Sequence, residues 1–96
     1  MYLRLVQFNL GADARATAES IANRVLPLIR KQPGCQRAEF FGEAQSGDYG
    51  LVVLWASQHE ANAAAGVVSP VLGQLLQQAR AVGDNRRLFE VYEPQG

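Results

Sequence analysis

The stretch Gln32–Ser57, QPGCQRAEFFGEAQSGDYGLVVLWAS, decides the fold of this 96-residue chain. Its Pro33-Gly34 pair predicts the end of a helix, because proline cannot continue a helix and glycine tolerates a positive φ. Residues 35–44 alternate in the period of a strand, and the nearly continuous apolar run 49–56 predicts a strand that is buried on both faces. The turn residues Ser46-Gly47-Asp48 join the two, so the stretch predicts a β-hairpin in the middle of the chain.

The sequence on either side of this hairpin predicts two more strands and a first helix. Residues 2–10 alternate with apolar side chains on both faces, which is typical of a central strand, and residues 86–93 alternate as a last strand. Between residues 14 and 32, apolar side chains recur at the i, i+3, i+4 spacing of an amphipathic helix. Asp13 is its predicted N-cap, since an aspartate oxygen accepts hydrogen bonds from the free backbone N–H groups of the first turn.

A second helical region follows the hairpin. Ser57 and Glu60 stand three residues apart and predict a capping box at its start. We expect Gly66 to break this helix and Ser69-Pro70 to begin a new segment, because serine caps helices and proline is favoured in the first turn. The apolar stripe from 71 to 79 then belongs to this new segment.

The resulting order, β-α-β-β-α-β, predicts an α+β fold of the ferredoxin-like sandwich type with one four-stranded antiparallel sheet. Ninety-six residues suffice for a single domain, 1–96, with one core. Two helices cover only one face of such a sheet. We therefore expect the other face to pair with a second copy of the chain, which gives a homodimer through the sheet faces.

Charge and composition exclude several classes of function. The chain is 48% hydrophobic and 19% charged, as ordinary globular proteins are, and its net charge is zero. The only dense basic cluster is Arg86-Arg87, so nucleic-acid binding is not expected. Cys35 is the single cysteine and has no ligands at metal-binding spacing, so neither a disulfide nor a metal site is expected. The amino terminus lacks a signal peptide and no stretch could cross a membrane, which favours the cytoplasm.

Charged side chains share one face of the second strand. Glu39 and Glu43 lie about two pleats apart on it, too far from each other to share a proton. We expect Arg37 and Arg4 to pair with these glutamates, which gives an exposed, salt-bridged face or an interface.

Short segments spread over nearly the whole chain carry a family resemblance. They are Gln32–Cys35, Ala38–Phe41, Val52–Trp55, Ser69–Leu72 and Tyr92–Pro94. In this order they resemble the antibiotic-biosynthesis monooxygenases, a family of dimeric α/β-barrel proteins. The resemblance implies small homodimeric enzymes that oxidise polycyclic phenols or quinols with molecular oxygen and use no metal, flavin or other cofactor. It also implies relatives that degrade haem, and members without an established activity.

The resemblance and the strand pattern together suggest substrate-binding residues. Trp55 matches a strand-three tryptophan of the family, and Leu51 stands where some monooxygenases carry an asparagine. Leu76 lies near the helix-two position at which haem-degrading members carry a histidine, so haem degradation is disfavoured. Tyr49 shares a strand face with Trp55 and offers a hydroxyl that could bind a phenolate.

Two residues are candidates for catalysis. His59 is the only histidine and could act as a proton acceptor, although an exposed position in the first helical turn is the simpler interpretation. Asn9 lies on strand one, as does a functional asparagine of the haem degraders. The chain contains no phosphate loop, metal cluster or dinucleotide motif, and therefore no cofactor is predicted.

These observations predict a cofactor-independent monooxygenase that oxidises a small aromatic quinol or phenol. The alternative is a non-catalytic homodimer on the same scaffold, either a small-ligand-binding protein or a stress-associated protein. An isomerase of the muconolactone type would share the scaffold, but no residue supports it. An open apolar cavity beside Trp55 would favour the enzyme, whereas a cavity filled by leucines would favour the alternative.

Overall fold

The computed structural model describes residues 1–94 and shows four strands and two helices in the predicted order. The elements are β1 (Tyr2–Asn9), α1 (Arg15–Arg30), β2 (Cys35–Glu43), β3 (Asp48–Trp55), α2 (Gln58–Gln78) and β4 (Val82–Glu90). The strand order in the sheet is β2-β3-β1-β4, and all neighbours are antiparallel. The predicted α+β, ferredoxin-like fold is confirmed. Residues 95 and 96 of the expected domain lie outside the described residues.

The core is a single layer between the two helices and one face of the sheet. Alternation along each strand decides which side chains reach this layer. On the central strands these are Val6 and Phe8 of β1 and four residues of β3, namely Tyr49, Leu51, Val53 and Trp55. The helices meet them with stripes at helical spacing: Ala18, Ile21, Val25 and Ile29 of α1, and Ala61, Ala64, Val68, Leu72 and Leu76 of α2. We call this side of the sheet the helix face.

The opposite side, which we call the open face, has no helix over it. Leu3 and Leu5 of β1 pair with Leu54 and Val52 of β3 and are partly buried by one another. Larger apolar side chains flank them, with Phe41 of β2 39% exposed and Phe89 of β4 36% exposed. The open face is therefore apolar along its middle, as expected for a face that needs a partner.

The predicted cap of α1 is wrong. Asp13 adopts a positive φ of 61°, and the N-cap is Ala14, which makes no side-chain cap hydrogen bond. Asp13 thus serves as a turn residue, a role that aspartate tolerates better than most residues do. Ser57 is the N-cap of α2 as predicted, because its hydroxyl accepts a hydrogen bond from the Glu60 backbone N–H at 3.2 Å. The Glu60 carboxylate accepts from this same hydroxyl at 3.0 Å, whereas a capping box would use the Ser57 backbone N–H as that donor.

The predicted break in the second helix is also wrong. α2 runs without interruption from Gln58 to Gln78, with Gly66 and Pro70 inside it. Both residues lie on the exposed side of the helix, whereas Val68 and Leu72 are buried on the other side. Tertiary packing of an apolar face contributes more to a helix than local propensity does, and here it carries the helix past both residues.

Substitutions of two glycines test this description of the backbone. A methyl group at Gly66 would have no heavy atom outside the helix's own backbone within 4 Å. We expect Gly66→Ala to raise the free energy of unfolding by about 0.5–1 kcal/mol, since alanine favours a helix interior over glycine. Urea denaturation followed by circular dichroism measures the change.

Gly47→Ala serves as the contrasting variant. Gly47 has a φ of +79°, and a methyl group there would overlap the backbone of Gly11. We expect a loss of about 1–2 kcal/mol or more, because an alanine is strained at positive φ even where space is available. A lower stability of Gly66→Ala would contradict the uninterrupted helix.

Candidate functional site

A cavity of about 90 Å³ lies between α2 and the helix face. Its floor is formed by the strands, through Arg4 and Val6 of β1, Leu51, Val53 and Trp55 of β3, and Arg86 of β4. Its roof is formed by α2, mainly through Ala61, Ala64, Ala65, Val68, Ser69 and Leu72. Most of this wall is apolar, and the polar side chains gather on β1, β4 and the middle of α2.

The cavity exists because α2 meets the sheet through small side chains. Ala61, Ala64 and Ala65 follow one another at the i, i+3, i+4 spacing of one helix face. A leucine at any of these positions would extend into the space that the methyl groups leave open. Pockets for drug-sized ligands usually exceed about 300 Å³, so this cavity matches a single ring rather than the polycyclic substrates implied by the resemblance.

Trp55 closes the cavity at the end of β3. Its side chain is 3% exposed and lies opposite Tyr2 of β1 and Cys35 of β2. Within residues 1–94 the buried indole Nε1 has no hydrogen-bond acceptor. A buried donor without a partner costs about 1–3 kcal/mol, and groups of this kind often have a functional reason. Trp55 therefore offers a flat aromatic surface together with an unused N–H group.

Two arginines from neighbouring strands bring positive charge to the cavity. Arg4 lies opposite Leu88 in the ladder and Arg86 lies opposite Val6, so both belong to the helix face, one pleat apart. The Arg86 Nε and Nη2 atoms donate to the two carboxylate oxygens of Asp84 at 3.1 and 2.9 Å. This ion pair partly offsets the charge of Arg86.

Arg4 has a weaker set of contacts. Its Nη2 lies 3.4 Å from the Asn62 side-chain oxygen on α2, and among residues 1–94 it makes no ion pair. Burial lowers the pKa of the Arg4 guanidinium, and the positive charge of Arg86 lowers that pKa further. Arginine stays ionised at neutral pH in spite of such shifts, so Arg4 presents a largely uncompensated charge.

The predicted substrate-binding residues fall into two groups. Trp55 and Leu51 both line the cavity. Tyr49 and Leu76 do not line it. Tyr49 packs against Phe40 in the core, with a ring-centroid distance of 6.2 Å, and Leu76 is buried on the core-facing side of α2. A role in substrate binding stays a prediction for all four residues.

The two predicted catalytic residues lie away from the cavity. His59 is exposed in the first turn of α2 and is not part of the wall. The Asn9 amide donates to the Ser46 carbonyl at 3.0 Å and to the Asp48 carboxylate at 2.9 Å, and its oxygen accepts from the Gly11 N–H at 2.8 Å. Asn9 therefore fastens the β2–β3 turn to the end of β1. Catalysis by either residue stays a prediction that this geometry does not favour.

Sequence reasoning overlooked Arg4 and Arg86 as site residues. The expected pairing of Arg4 with Glu39 and Glu43 is wrong, because Arg4 belongs to the helix face and the glutamates to the open face. Arg37 does pair with Glu39, at 3.3 Å. The available signal was the position of Arg4 itself, since it interrupts an otherwise apolar alternation on a buried strand.

Other kinds of site find little support in residues 1–94. No group of three or more His, Cys, Asp or Glu side chains is placed to hold a metal ion. No helix in this part of the chain is long and apolar enough to span a bilayer. Burial raises the pKa of the Cys35 thiol, although the charge of Arg30 partly opposes this shift. Little of this thiol is therefore ionised at neutral pH, which disfavours a nucleophilic role.

The same fold occurs in solved structures of other proteins, several of which are described as antibiotic biosynthesis monooxygenases. One from Deinococcus radiodurans has a TM-score of 0.82 and 14% identity, over 100% of this chain and 97% of that protein. SnoaB, a cofactor-independent oxygenase from Streptomyces nogalater, has a TM-score of 0.72 and 20% identity, over 97% of this chain and 94% of SnoaB. A MhuD mutant with two manganese protoporphyrin IX molecules per active site has a TM-score of 0.72 and 19% identity, over 100% and 99%.

These similarities establish the fold. No family sequence model and no curated protein sequence matches this chain. The structural matches nevertheless extend over essentially the full length of both partners, so no large insertion separates this chain from them. The chain thus has the fold of the antibiotic biosynthesis monooxygenases, as its sequence segments predicted.

Removal of the Tyr49 hydroxyl tests the packing next to the site. This hydroxyl is buried and has no hydrogen-bond partner within residues 1–94. We expect Tyr49→Phe to raise the free energy of unfolding by about 1 kcal/mol, because the desolvation cost of the group disappears. Tyr92→Phe, at a side chain that is 84% exposed, is expected to change nothing. Equal losses of stability in both variants would contradict an unsatisfied Tyr49 hydroxyl.

Proposed function

We propose that this chain is a cofactor-independent monooxygenase that oxidises a small, single-ring quinol or phenol with molecular oxygen. The observation that carries the proposal is the apolar cavity in which the Trp55 ring and the Arg4 guanidinium converge. Its fold is also that of SnoaB, a cofactor-independent oxygenase. The proposal is supported by the fact that Trp55 and polar side chains line one cavity, and that Leu51, Leu75 and Leu76 do not fill this cavity.

The cavity residues suggest a division of labour. A guanidinium beside a phenol favours the phenolate, since an opposite charge nearby lowers the pKa of an acid. Apolar walls from α2 exclude water and strengthen that interaction. The ring lies against Trp55, in a geometry that fixes which carbon meets oxygen.

The reaction itself takes place between the anion and oxygen. The electron-rich ring carbon of the quinolate binds O2 and forms a peroxide. Cleavage of the O–O bond then leaves one oxygen atom on the ring as a carbonyl and releases the other as water. Hydroquinone and O2 thus give hydroxyquinone and water, and no external reductant is consumed.

A non-catalytic ligand-binding protein is the second candidate. Leu51 occupies the strand position at which some monooxygenases carry an asparagine, and the cavity wall contains no carboxylate or histidine that could act as a base. Both observations favour binding without turnover. No residue of the site favours an isomerase, and a cytoplasmic location stays a prediction.

We further propose that two copies associate through their open faces to form the dimeric α/β barrel. Leu3, Leu5, Val52 and Leu54 form a continuous apolar centre on this face, and Phe41 and Phe89 extend it to both edges. Contact between this surface and the same surface of a second copy would remove these large apolar side chains from water.

Oxygen uptake tests the enzymatic proposal. We expect hydroquinone to be consumed with one O2 per molecule and, with ¹⁸O2, to give a labelled hydroxyquinone without hydrogen peroxide. Ala64→Leu should lower the rate by about tenfold or more, because the leucine fills the cavity. Ala63→Leu places the same side chain on the exposed side of α2 and should leave the rate unchanged.

Trp55→Phe should also lower the rate, since the smaller ring removes both contact surface and the indole N–H. Uptake that is equal in the wild type and in Ala64→Leu would exclude the cavity as the site of reaction. Absence of turnover with every single-ring hydroquinone and phenol offered would leave the ligand-binding protein as the better description.

Light scattering tests the dimer. We expect the wild type to be a dimer at micromolar concentration and Leu3→Glu to be a monomer, because a carboxylate between Leu54 and Phe89 has no cation opposite it in the sheet and is costly to bury. Gln78→Glu adds the same charge on the exposed side of α2 and should leave the dimer intact. A monomeric wild type would refute this assembly.

A further inference from the structure

The charges around the cavity do not cancel. Arg4 and Arg86 contribute two positive charges, and Asp84, which accepts two hydrogen bonds from Arg86, contributes one negative charge. Arg4 is left with an amide contact of 3.4 Å and no ion pair among residues 1–94. The cavity therefore carries one net positive charge on a side chain that is partly withdrawn from water.

We propose that the cavity binds a single-ring aromatic carboxylate, with Arg4 as the side chain that holds its anionic group. This inference deepens the proposed function and rests on it for the reaction, where the substrate would be a hydroxylated aromatic acid. Binding itself requires no turnover.

The size and chemistry of the wall select the ring. A cavity of about 90 Å³ has the size of a single ring rather than of fused rings, and its apolar walls from Ala61, Ala64 and Val53 carry no hydrogen-bonding side chains for a sugar or a peptide. Trp55 adds an aromatic surface on which a ring can stack. A small aromatic compound is therefore favoured over other small molecules.

The charge selects a carboxylate. A guanidinium presents paired N–H donors that match the two oxygens of a carboxylate, and such charge-assisted bonds are stronger than neutral ones. One free positive charge balances a monoanion, whereas a phosphate ester would bring nearly two negative charges. Burial and the charge of Arg86 lower the Arg4 pKa. A bound anion beside the guanidinium would raise this pKa again.

The experiment uses the only tryptophan of the chain as its reporter. Benzoate and its neutral analogue benzamide are titrated at pH 7 against Trp55 fluorescence, with calorimetry as a second readout. We expect benzoate to bind about tenfold or more tightly than benzamide, since a charge-assisted hydrogen bond to the partly buried Arg4 contributes about this much. Phenol, neutral at this pH, should behave like benzamide.

Two variants assign the effect to Arg4. Arg4→Gln should abolish the preference for benzoate and leave benzamide binding unchanged. Arg37→Gln removes an arginine from the open face and should bind benzoate as the wild type does. Circular dichroism confirms that each variant is folded.

A third variant is expected to act in the opposite direction. Asp84→Asn removes the carboxylate that neutralises Arg86 and should therefore tighten benzoate binding while leaving benzamide binding unchanged. Because this gain cannot come from unfolding, it keeps the test valid if Arg4→Gln proves unstable.

Equal affinities for benzoate and benzamide, or tighter binding of phenol than of benzoate, would overturn the proposal. So would a preference for benzoate that survives in Arg4→Gln. Arg4-dependent binding of benzoate without oxygen uptake on either hydroquinone or 2,5-dihydroxybenzoate would support this inference and refute the monooxygenase. Oxygen uptake on hydroquinone without any preference for benzoate would support the monooxygenase and refute this inference.

Discussion

The contact between α2 and the sheet through alanine side chains is the constraint on which the candidate site depends. Larger residues of α2, such as Leu72 and Leu76, hold the helix at its distance from the strands, and the alanines then fail to fill the space between. Protein interiors are normally packed to the density of organic crystals, so an opening in a core of this size is costly to maintain. A ligand that fills the opening would restore the packing contacts that the alanines do not make.

The two faces of the sheet differ in role, because successive side chains of each strand point to opposite faces. On β1, even-numbered residues such as Arg4 and Val6 face the helices, while Leu3 and Leu5 face the opposite way. The helix face thus holds the cavity and its charge, and the open face holds an apolar surface suited to a second copy. A shift of one residue in register would exchange these roles, so the pairing of the central strands determines both the site and the assembly.

Much of the fold could be predicted because it depends on local patterns. Period-two alternation and the Pro-Gly and Ser-Gly-Asp turns located the hairpin to within a residue at each end, and the same alternation placed Trp55 and Leu51 on one face. Errors arose where tertiary packing opposed a local signal. Gly66 and Pro70 have poor helix propensity, yet the buried face of α2 keeps the helix intact through both.

The sequence by itself determined the order of elements, the alternation of side chains along each strand and the presence of an aromatic ring at Trp55, since these follow from short-range periodicity and steric rules. Only the tertiary structure decided which polar groups meet at the cavity. Arg4 and Arg86 stand more than eighty residues apart, and their proximity depends on the antiparallel register of β1 and β4. Likewise His59 and Asn9 have suitable chemistry, but the backbone places them outside the cavity. A catalytic role requires side chains to converge in space, and this convergence depends on the tertiary structure.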